Sequence, residues 1–330
     1  MKKLRAGLIG YGVMGRNHAR VLSTLDNVDF VGIVDSIEFD EKITQFYGVP
    51  IFREVSELVA QKIDYAVIAV PTEKHKEVAI QLLNENINCL IEKPVTVDVD
   101  SALEIKKIAE SKSLIVGVGH IERYNSAIQV LKSKLSAGEL GEIYQISTRR
   151  QGPFSDRISD VGVVRDLATH DIDLCLWLTE GKFESIYART LQKTNREHED
   201  MVSVTGLMDK KIIVNLIVNW LSPVKERNIL IIGEKGAFQV STLTSELTFF
   251  ENGKIKVTQD SIAHFKGVTQ GDITTFSFDK KEPLAKEHEE FRNKIMGLDA
   301  EIITLDQGIE TMRVTDAILK SSEEKVEVKF

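Results

Sequence analysis

Gly10-Tyr11-Gly12-Val13-Met14-Gly15 follows an apolar, β-forming run, Leu4–Ile9, and opens a segment, Met14–Leu25, whose apolar residues recur at three- and four-residue spacing. Strand, glycine-rich turn and amphipathic helix in that order give each glycine a task. The first permits the tight turn, the second lets main chain approach a pyrophosphate, and the third lets helix and strand pack closely. The helix N-terminus adds N–H groups and positive potential for phosphate. Asp35 ends the next strand candidate, 20 residues after Gly15. A carboxylate there accepts hydrogen bonds from adenosine ribose hydroxyls and repels a 2′-phosphate, which favours NAD over NADP. A plain glycine-rich turn and a methyltransferase loop for S-adenosylmethionine are the alternatives; strand, helix and acid together point to a dinucleotide held by Gly10, Tyr11, Gly12, Val13, Met14, Gly15 and Asp35.

Outward from this turn, short apolar runs alternate with amphipathic segments at intervals of about 30 residues, the pattern of βαβ units on a parallel sheet. The strand candidates are Leu4–Ile9, Val28–Val34, Val49–Phe52, Tyr65–Val70, Asn88–Ile91 and Leu114–Val118, with covering helices at Met14–Leu25, Lys74–Asn84 and Ser101–Ser111. Ligands of open α/β sheets bind outside the carboxyl ends of the strands. There the sequence places Pro71, Thr72 and His75, then Glu92-Lys93-Pro94, then His120 with Arg123, Tyr124 and Asn125. Lys93, beside a proline just past a buried strand, is placed to orient a substrate hydroxyl or relay its proton; a salt bridge with Glu92 or a solvated loop position is the alternative.

Near residue 121 the texture changes, and the sequence divides into a dinucleotide domain, 1–121, and a second domain, 122–330. The latter begins with a helix at Ala127–Leu135 and continues as alternating strands: Ile143–Arg150, Phe183–Thr194, Met201–Met208, Lys211–Leu221, Arg227–Gly233 and Gly236–Ser241. One helix, Val164–Leu178, crosses them and two follow, Ala285–Met296 and Thr304–Ser321, which makes an α+β domain with a mostly antiparallel sheet. The run Ile212–Leu221 has no fully polar face, so its second face is expected to be a subunit interface in a homodimer or homotetramer.

In the crossing helix, Asp166 and His170 stand four residues apart and share a face, so an imidazole suited to take an alcohol proton has a carboxylate beside it; mere support of the helix surface is the alternative. Arg149, Arg150, Arg157 and Arg165 fall within 17 residues. They form a site for an anionic substrate, or a surface network with Asp156 and Asp160. Arg196-Glu197-His198-Glu199-Asp200 reads as a solvated loop, and Glu287-His288-Glu289-Glu290 as the outer face of a helix.

Composition narrows the classes. The chain has 330 residues, 42% hydrophobic and 28% charged, with a net charge of −8 and two cysteines, Cys89 and Cys175. A soluble two-domain protein is expected, without a global basic field for nucleic acid or anionic lipid. The longest apolar run falls short of the about 18 to 20 residues that span a bilayer. Neither cysteine has metal-ligand spacing, so a cytoplasmic protein with no metal and no membrane partner is expected.

Gly10–Gly15, Glu92-Lys93-Pro94, Gly119-His120 with Arg123 and Asn125, and Asp166 with His170, in this order, resemble the glucose–fructose oxidoreductase/inositol dehydrogenase family, Gfo/Idh/MocA. The resemblance spans essentially the whole chain. It implies an N-terminal Rossmann domain, an open-faced sheet domain that mediates oligomerisation, and NAD(P)-dependent oxidation of a CH–OH group. It further implies that Lys93 is the catalytic or substrate-positioning lysine, Asp166 a substrate-binding acid and His170 the proton acceptor. The stretch from Gly152 to Asp171, with His120–Asn125, is similar to a branch containing UDP-N-acetylglucosamine 3-dehydrogenases, which would make Arg149, Arg157 and Arg165 diphosphate ligands. Where the family often carries a glycine-rich run before the Asp, this chain has only Asp160-Val161-Gly162-Val163-Val164-Arg165. A free sugar or inositol dehydrogenase, an NAD-assisted lyase or hydrolase without net redox, and a dinucleotide-sensing regulator are the other readings.

Overall fold

The computed structural model describes residues 3–36, 42–154, 161–253 and 269–330. The chain divides into two compact units, Met1–Tyr124 with Lys281–Arg313, and Asn125–Lys280 with Val314–Phe330.

In the first unit, β1 (Leu4–Ile9), β2 (Val28–Val34), β3 (Ile51–Phe52), β4 (Tyr65–Ile68), β5 (Asn88–Glu92) and β6 (Val116–Gly119) pair in parallel in the order 3-2-1-4-5-6. Each strand lies within two residues of its predicted position. The order reverses between β1 and β4, and the glycine-rich turn lies at that switch point. α1 (Val13–Leu22), α2 (Lys42–Tyr47), α3 (Val55–Val59), α4 (His75–Asn84) and α5 (Val99–Ser111) connect the strands. Asp98 caps α5 by accepting the Ser101 N–H at 2.7 Å.

The second domain is not continuous to residue 330. The helix Pro283–Ile295 belongs to the first unit, where Leu284, Glu287, His288 and Phe291 are buried. Phe291 meets Tyr65 with ring centroids 5.6 Å apart, and a Cβ on Gly117 of β6 would stand 2.9 Å from its ring. Burying such a phenyl contributes about 2–3 kcal/mol toward docking the returning segment. Ile303 then accepts the Val118 N–H at 2.9 Å, so this segment also covers the outer edge of β6.

In the second unit, β7 (Ile143–Pro153), β8 (Phe183–Leu191), β9 (Met201–Met208), β10 (Ile213–Asn219), β11 (Leu221–Gly233), β12 (Gly236–Ser241), β13 (Glu246–Gly253), β14 (Thr269–Thr275) and β15 (Val328–Lys329) form one sheet in the order 14-13-12-11-7-10-9-8-15. Only β7 and β10 pair in parallel. α6 (Ser126–Ser136) and α7 (Thr169–Thr179) pack on one face, where Ile146, Val204, Val214, Leu216 and Val218 are fully or almost fully buried. On the other face Tyr187, Leu207, Ile213 and Ile217 are exposed, the half-apolar surface the sequence predicts. β11 starts six residues before its predicted start because it passes Pro223, inside the register shift between Leu221 and Glu226 where a proline forfeits no ladder bond. β13, β14 and β15 are absent from the predicted set. The first two pair partly through polar side chains, such as the Thr248 and Thr275 hydroxyls 3.2 Å apart, and β15 is two residues long. The predicted single helix 164–178 is a π-helical turn, Val164–Ala168, running into α7. The helix Pro283–Ile295 is α8, and α9 is Leu305–Glu324.

Candidate functional site

At the carboxyl end of β1, Gly10 has φ of +95°, and a Cβ there would lie 2.5 Å from the Ala69 carbonyl oxygen. A Cβ on Gly15 would lie 2.0 Å from the Gly10 carbonyl oxygen, so this glycine lets α1 close on the turn. Gly12, the N-cap of α1, would meet nothing within 4 Å, and no side chain caps the helix. Open space above uncapped N–H groups fits a pyrophosphate. Asp35 Oδ2 accepts the Tyr11 N–H at 2.7 Å, so the acid that ends β2 also holds the turn. Tyr11 is buried, which together with Tyr47 pushes its phenol up to about 12; Val13 is exposed and Met14 half-buried. The chain's own residues therefore fit a dinucleotide.

Along the same rim, Pro71 is exposed and Thr72 opens a short 3₁₀ turn. His75 turns inward: its Nε2 lies 2.9 Å from the Val70 carbonyl and its Nδ1 3.0 and 3.2 Å from those of Pro94 and Val95. Burial pulls this imidazole below its ordinary pKa despite those carbonyls. His75 is thus a brace for the main chain after Lys93 rather than an outward-facing ligand. Glu92, at the end of β5, accepts the Lys93 N–H at 3.1 Å on Oε2 and lies 2.9 Å from His18 Nε2 through Oε1. Burial pushes its carboxyl up, but the His18 hydrogen bond, the charges of His18 and Lys93 and the backbone N–H outweigh it, and the net shift is downward. Lys93 itself is half-buried, and His120, past β6, is buried with its N–H on the Val118 carbonyl.

Three predicted substrate contacts are buried and bonded to the protein. Arg123 donates to Gln307 Oε1 at 3.1 Å, and the Tyr124 hydroxyl to the Glu301 carbonyl at 3.4 Å. Asn125 caps α6 through the Ala127 N–H and donates to the Thr242 carbonyl.

In the second unit Asp166 lies in the π-helical turn, 8% exposed, and half-buried His170 follows in the first turn of α7. Such wide turns are frequent at functional sites. Glu199 holds this turn: its carbonyl accepts the Val163 N–H and its carboxylate the Val164 N–H, both at 3.0 Å. The loop containing it is only partly solvated: Glu197 is exposed, Arg196, His198 and Glu199 are half-buried and Asp200 is fully buried. Arg196 lies over the rings of Phe154 and Trp220 at 4.3 and 4.6 Å, and fully buried Asp200 accepts the Trp220 Nε1–H at 2.7 Å. Asp200 also takes the Lys193 and Thr194 N–H groups, and these bonds outweigh the upward push of burial on its carboxyl.

Among the described residues the arginines have separate partners. Arg150 is buried and pairs with Asp171 at 2.8 Å, Arg165 pairs with Asp316 at 2.8 Å, and Arg149 stands exposed near Glu226 at 3.9 Å. Strand alternation puts Arg149 on the open face of the sheet and Arg150 on the covered one. Arg157, with Asp156 and Asp160, lies outside the described residues.

Sequence reasoning passed over His18 and took Glu287 and His288 for an outer face. All three are fully buried, and His18 Nδ1 lies 2.8 Å from His288 Nε2. The signal was present: Leu284, Glu287, His288 and Phe291 have the spacing of a covered helical stripe, as do Gly15, His18, Ala19 and Leu22.

Residues 4–120 match the oxidoreductase family with an NAD-binding Rossmann fold, and residues 128–239 match the GFO/IDH/MocA C-terminal domain. The chain is 28% identical over 296 residues to the UDP-N-acetylglucosamine 3-dehydrogenase of Acidithiobacillus ferrooxidans, covering 89% of this chain and 90% of that one. It is 31% identical over 265 residues to the glucose-6-phosphate 3-dehydrogenase of Bacillus subtilis, covering 73% and 75%. A crystal structure of the Acidithiobacillus ferrooxidans enzyme superposes with a TM-score of 0.85 at 24% identity, over 98% of this chain and 99% of that one. Among the described residues no helix is long and apolar enough to cross a membrane.

Proposed function

Because the chain belongs to the Gfo/Idh/MocA family of NAD-binding oxidoreductases, we propose that it oxidises a ring hydroxyl of a sugar, with a nucleotide sugar such as UDP-N-acetylglucosamine, at carbon 3, as the substrate and NAD as the cofactor. The observation that carries the chemistry is the placement of a half-buried lysine, braced on both sides of its main chain, at the rim that also bears the dinucleotide turn. In this reading the Lys93 ammonium donates to the hydroxyl oxygen, His170 accepts the hydroxyl proton, and Asp166 binds a neighbouring hydroxyl. Bound NAD supplies the hydride acceptor. Asp35, at the end of β2, favours NAD over NADP by repelling a 2′-phosphate. The π-helical turn, pinned by Glu199, fixes Asp166 relative to His170, which is how the fold contributes orientation.

The nucleotide-sugar assignment draws on the relative that aligns over 89% of the chain, not on the arginines, whose described members have separate partners. Similarity to a glucose-6-phosphate 3-dehydrogenase favours a second substrate reading, a sugar phosphate. We further propose that the open sheet face, with Tyr187, Leu207, Ile213 and Ile217, joins a second copy of the chain.

Thermal melting with NADH present tests the substrate, comparing UDP-N-acetylglucosamine, glucose 6-phosphate, free N-acetylglucosamine and myo-inositol. A ligand at about 100 times its dissociation constant adds about 2.7 kcal/mol of stability, a visible shift. A shift with the nucleotide sugar alone is the expected outcome. A shift only with another of these compounds moves the protein to that substrate class.

A further inference from the structure

Beneath the Glu92-Lys93-Pro94 turn, α1, the end of β5 and α8 bring together side chains that the proposed chemistry does not use. His18 and His288 are fully buried and Glu92 is 7% exposed. Their bonds form a chain: His288 Nε2 to His18 Nδ1 at 2.8 Å, His18 Nε2 to Glu92 Oε1 at 2.9 Å, and Glu92 Oε2 to the Lys93 N–H at 3.1 Å.

The chemistry of the groups gives this chain a direction. An ionised carboxylate only accepts, so His18 Nε2 carries a hydrogen toward Glu92. Between the two histidines the direction is set from the far end: with His288 Nε2–H donating to His18 Nδ1, His288 Nδ1 is left a bare acceptor. His288 Nδ1 has no hydrogen-bond partner among the described residues. Reversing the bond between the two histidines would put an N–H at that buried nitrogen, the costlier of the two orphans. On the far side of Lys93, His75 contacts the Pro94 and Val95 carbonyls. The main chain at Lys93 is therefore clamped from both sides, and one clamp is a carboxylate whose rotamer two histidines determine.

We infer that His18 and His288 are positioning residues that act through Glu92 to set the placement of Lys93. The inference rests on the reading of Lys93 as the residue that engages substrate. Its chemical content is specific: position 18 must accept from His288 and donate to Glu92 at the same time. Glutamine does both, and leucine does neither.

The experiment compares the parent chain with H18Q and H18L, and with H288Q and H288L, which read the hydrogen-bond chain from its other end. Two quantities are followed: the rate of acetylation of Lys93 by acetic anhydride relative to exposed lysines, read by peptide mass spectrometry, and kcat beside the NADH dissociation constant. In H18L and H288L, Lys93 labelling is expected to change about threefold or more and kcat to fall about tenfold, with NADH affinity within about twofold of the parent. H18Q and H288Q are expected to stay near the parent in both. Equal behaviour of the Gln and Leu variants, or parental Lys93 labelling in both Leu variants, overturns the inference. Should one Leu variant fail to fold, the other pair decides. K93M separates the two readings: full turnover in K93M overturns the role of Lys93 itself, while the labelling data still report whether the histidines hold it.

Discussion

Two buried polar assemblies, one in each unit, solve the cost of burial in opposite ways. In the second unit, Asp171 accepts the Arg150 Nε–H at 2.8 Å and the Thr148 hydroxyl at 3.1 Å, so two full charges cancel inside the covered face of the sheet. In the first unit, four titratable side chains lie buried together, and burial holds two of them, His288 and Glu287, uncharged. Glu92 is ionised, burial and the proximity of His18 hold His288 well below the ordinary histidine range, and burial, with the charge of Glu92, pushes the Glu287 carboxyl well above its ordinary range. A cancelled pair is insensitive to pH near neutrality but fails when one partner is removed. An assembly that keeps some of its titratable groups uncharged registers every change in proton count.

The largest effect that would sharpen this contrast is the loss of the ion pair. Arg150→Met leaves Asp171 buried without its counterion and is expected to cost about 3–5 kcal/mol in urea unfolding. A cost below about 1 kcal/mol would mean that the covered face admits water and that the two assemblies are not opposites.

The second prediction concerns pH. Glu287, with its folded pKa raised, contributes stability that is fully present below its ordinary value of 4.5 and is lost as pH rises. Glu287→Gln should therefore melt about 2–4 °C above the parent at pH 8, with the difference vanishing near pH 4. His288 works the other way: its depressed pKa gives stability that is present above 6.5 and lost as pH falls. His288→Gln should flatten the acid side of the melting profile. A parental profile in both variants would break the comparison from the side of the first unit.

The smallest effect is the control. Arg149, next to Arg150 in sequence but exposed on the opposite face of β7, should tolerate alanine within about 0.5 kcal/mol. A cost approaching that of Arg150→Met would show that the two arginines share an environment after all.

The same neighbours show what was legible in the sequence. The parallel sheet could be read almost residue by residue, because strands covered on both faces are apolar throughout and the turn at Gly10–Gly15 leaves few alternatives. The arginine run divides at its start because proximity along a strand is not proximity in space: Arg149 and Arg150 face opposite sides of β7. α8 was predicted as a helix, but its faces were misread because the covered stripe contains Glu287 and His288, which count as polar in any pattern although the loss of their charge lets them be buried. The π-helical turn around Asp166 leaves the four-residue spacing to His170 intact, so both residues could be named while the geometry that presents them could not. His18 lay on a face already recognised as covered, and only the three-dimensional neighbours Glu92 and His288 reveal what it does.

The account stands or falls on Lys93 and His170 carrying the hydroxyl chemistry. The direct measurement is single-turnover formation of NADH at 340 nm with the sugar that shifts the melt, for the parent, Lys93→Met and His170→Asn, each first shown to bind NADH. The account predicts that both variants keep NADH affinity and lose about 10²- to 10⁴-fold in rate, the range expected when a positioned proton acceptor or donor is removed. Parental rates in either variant would contradict it.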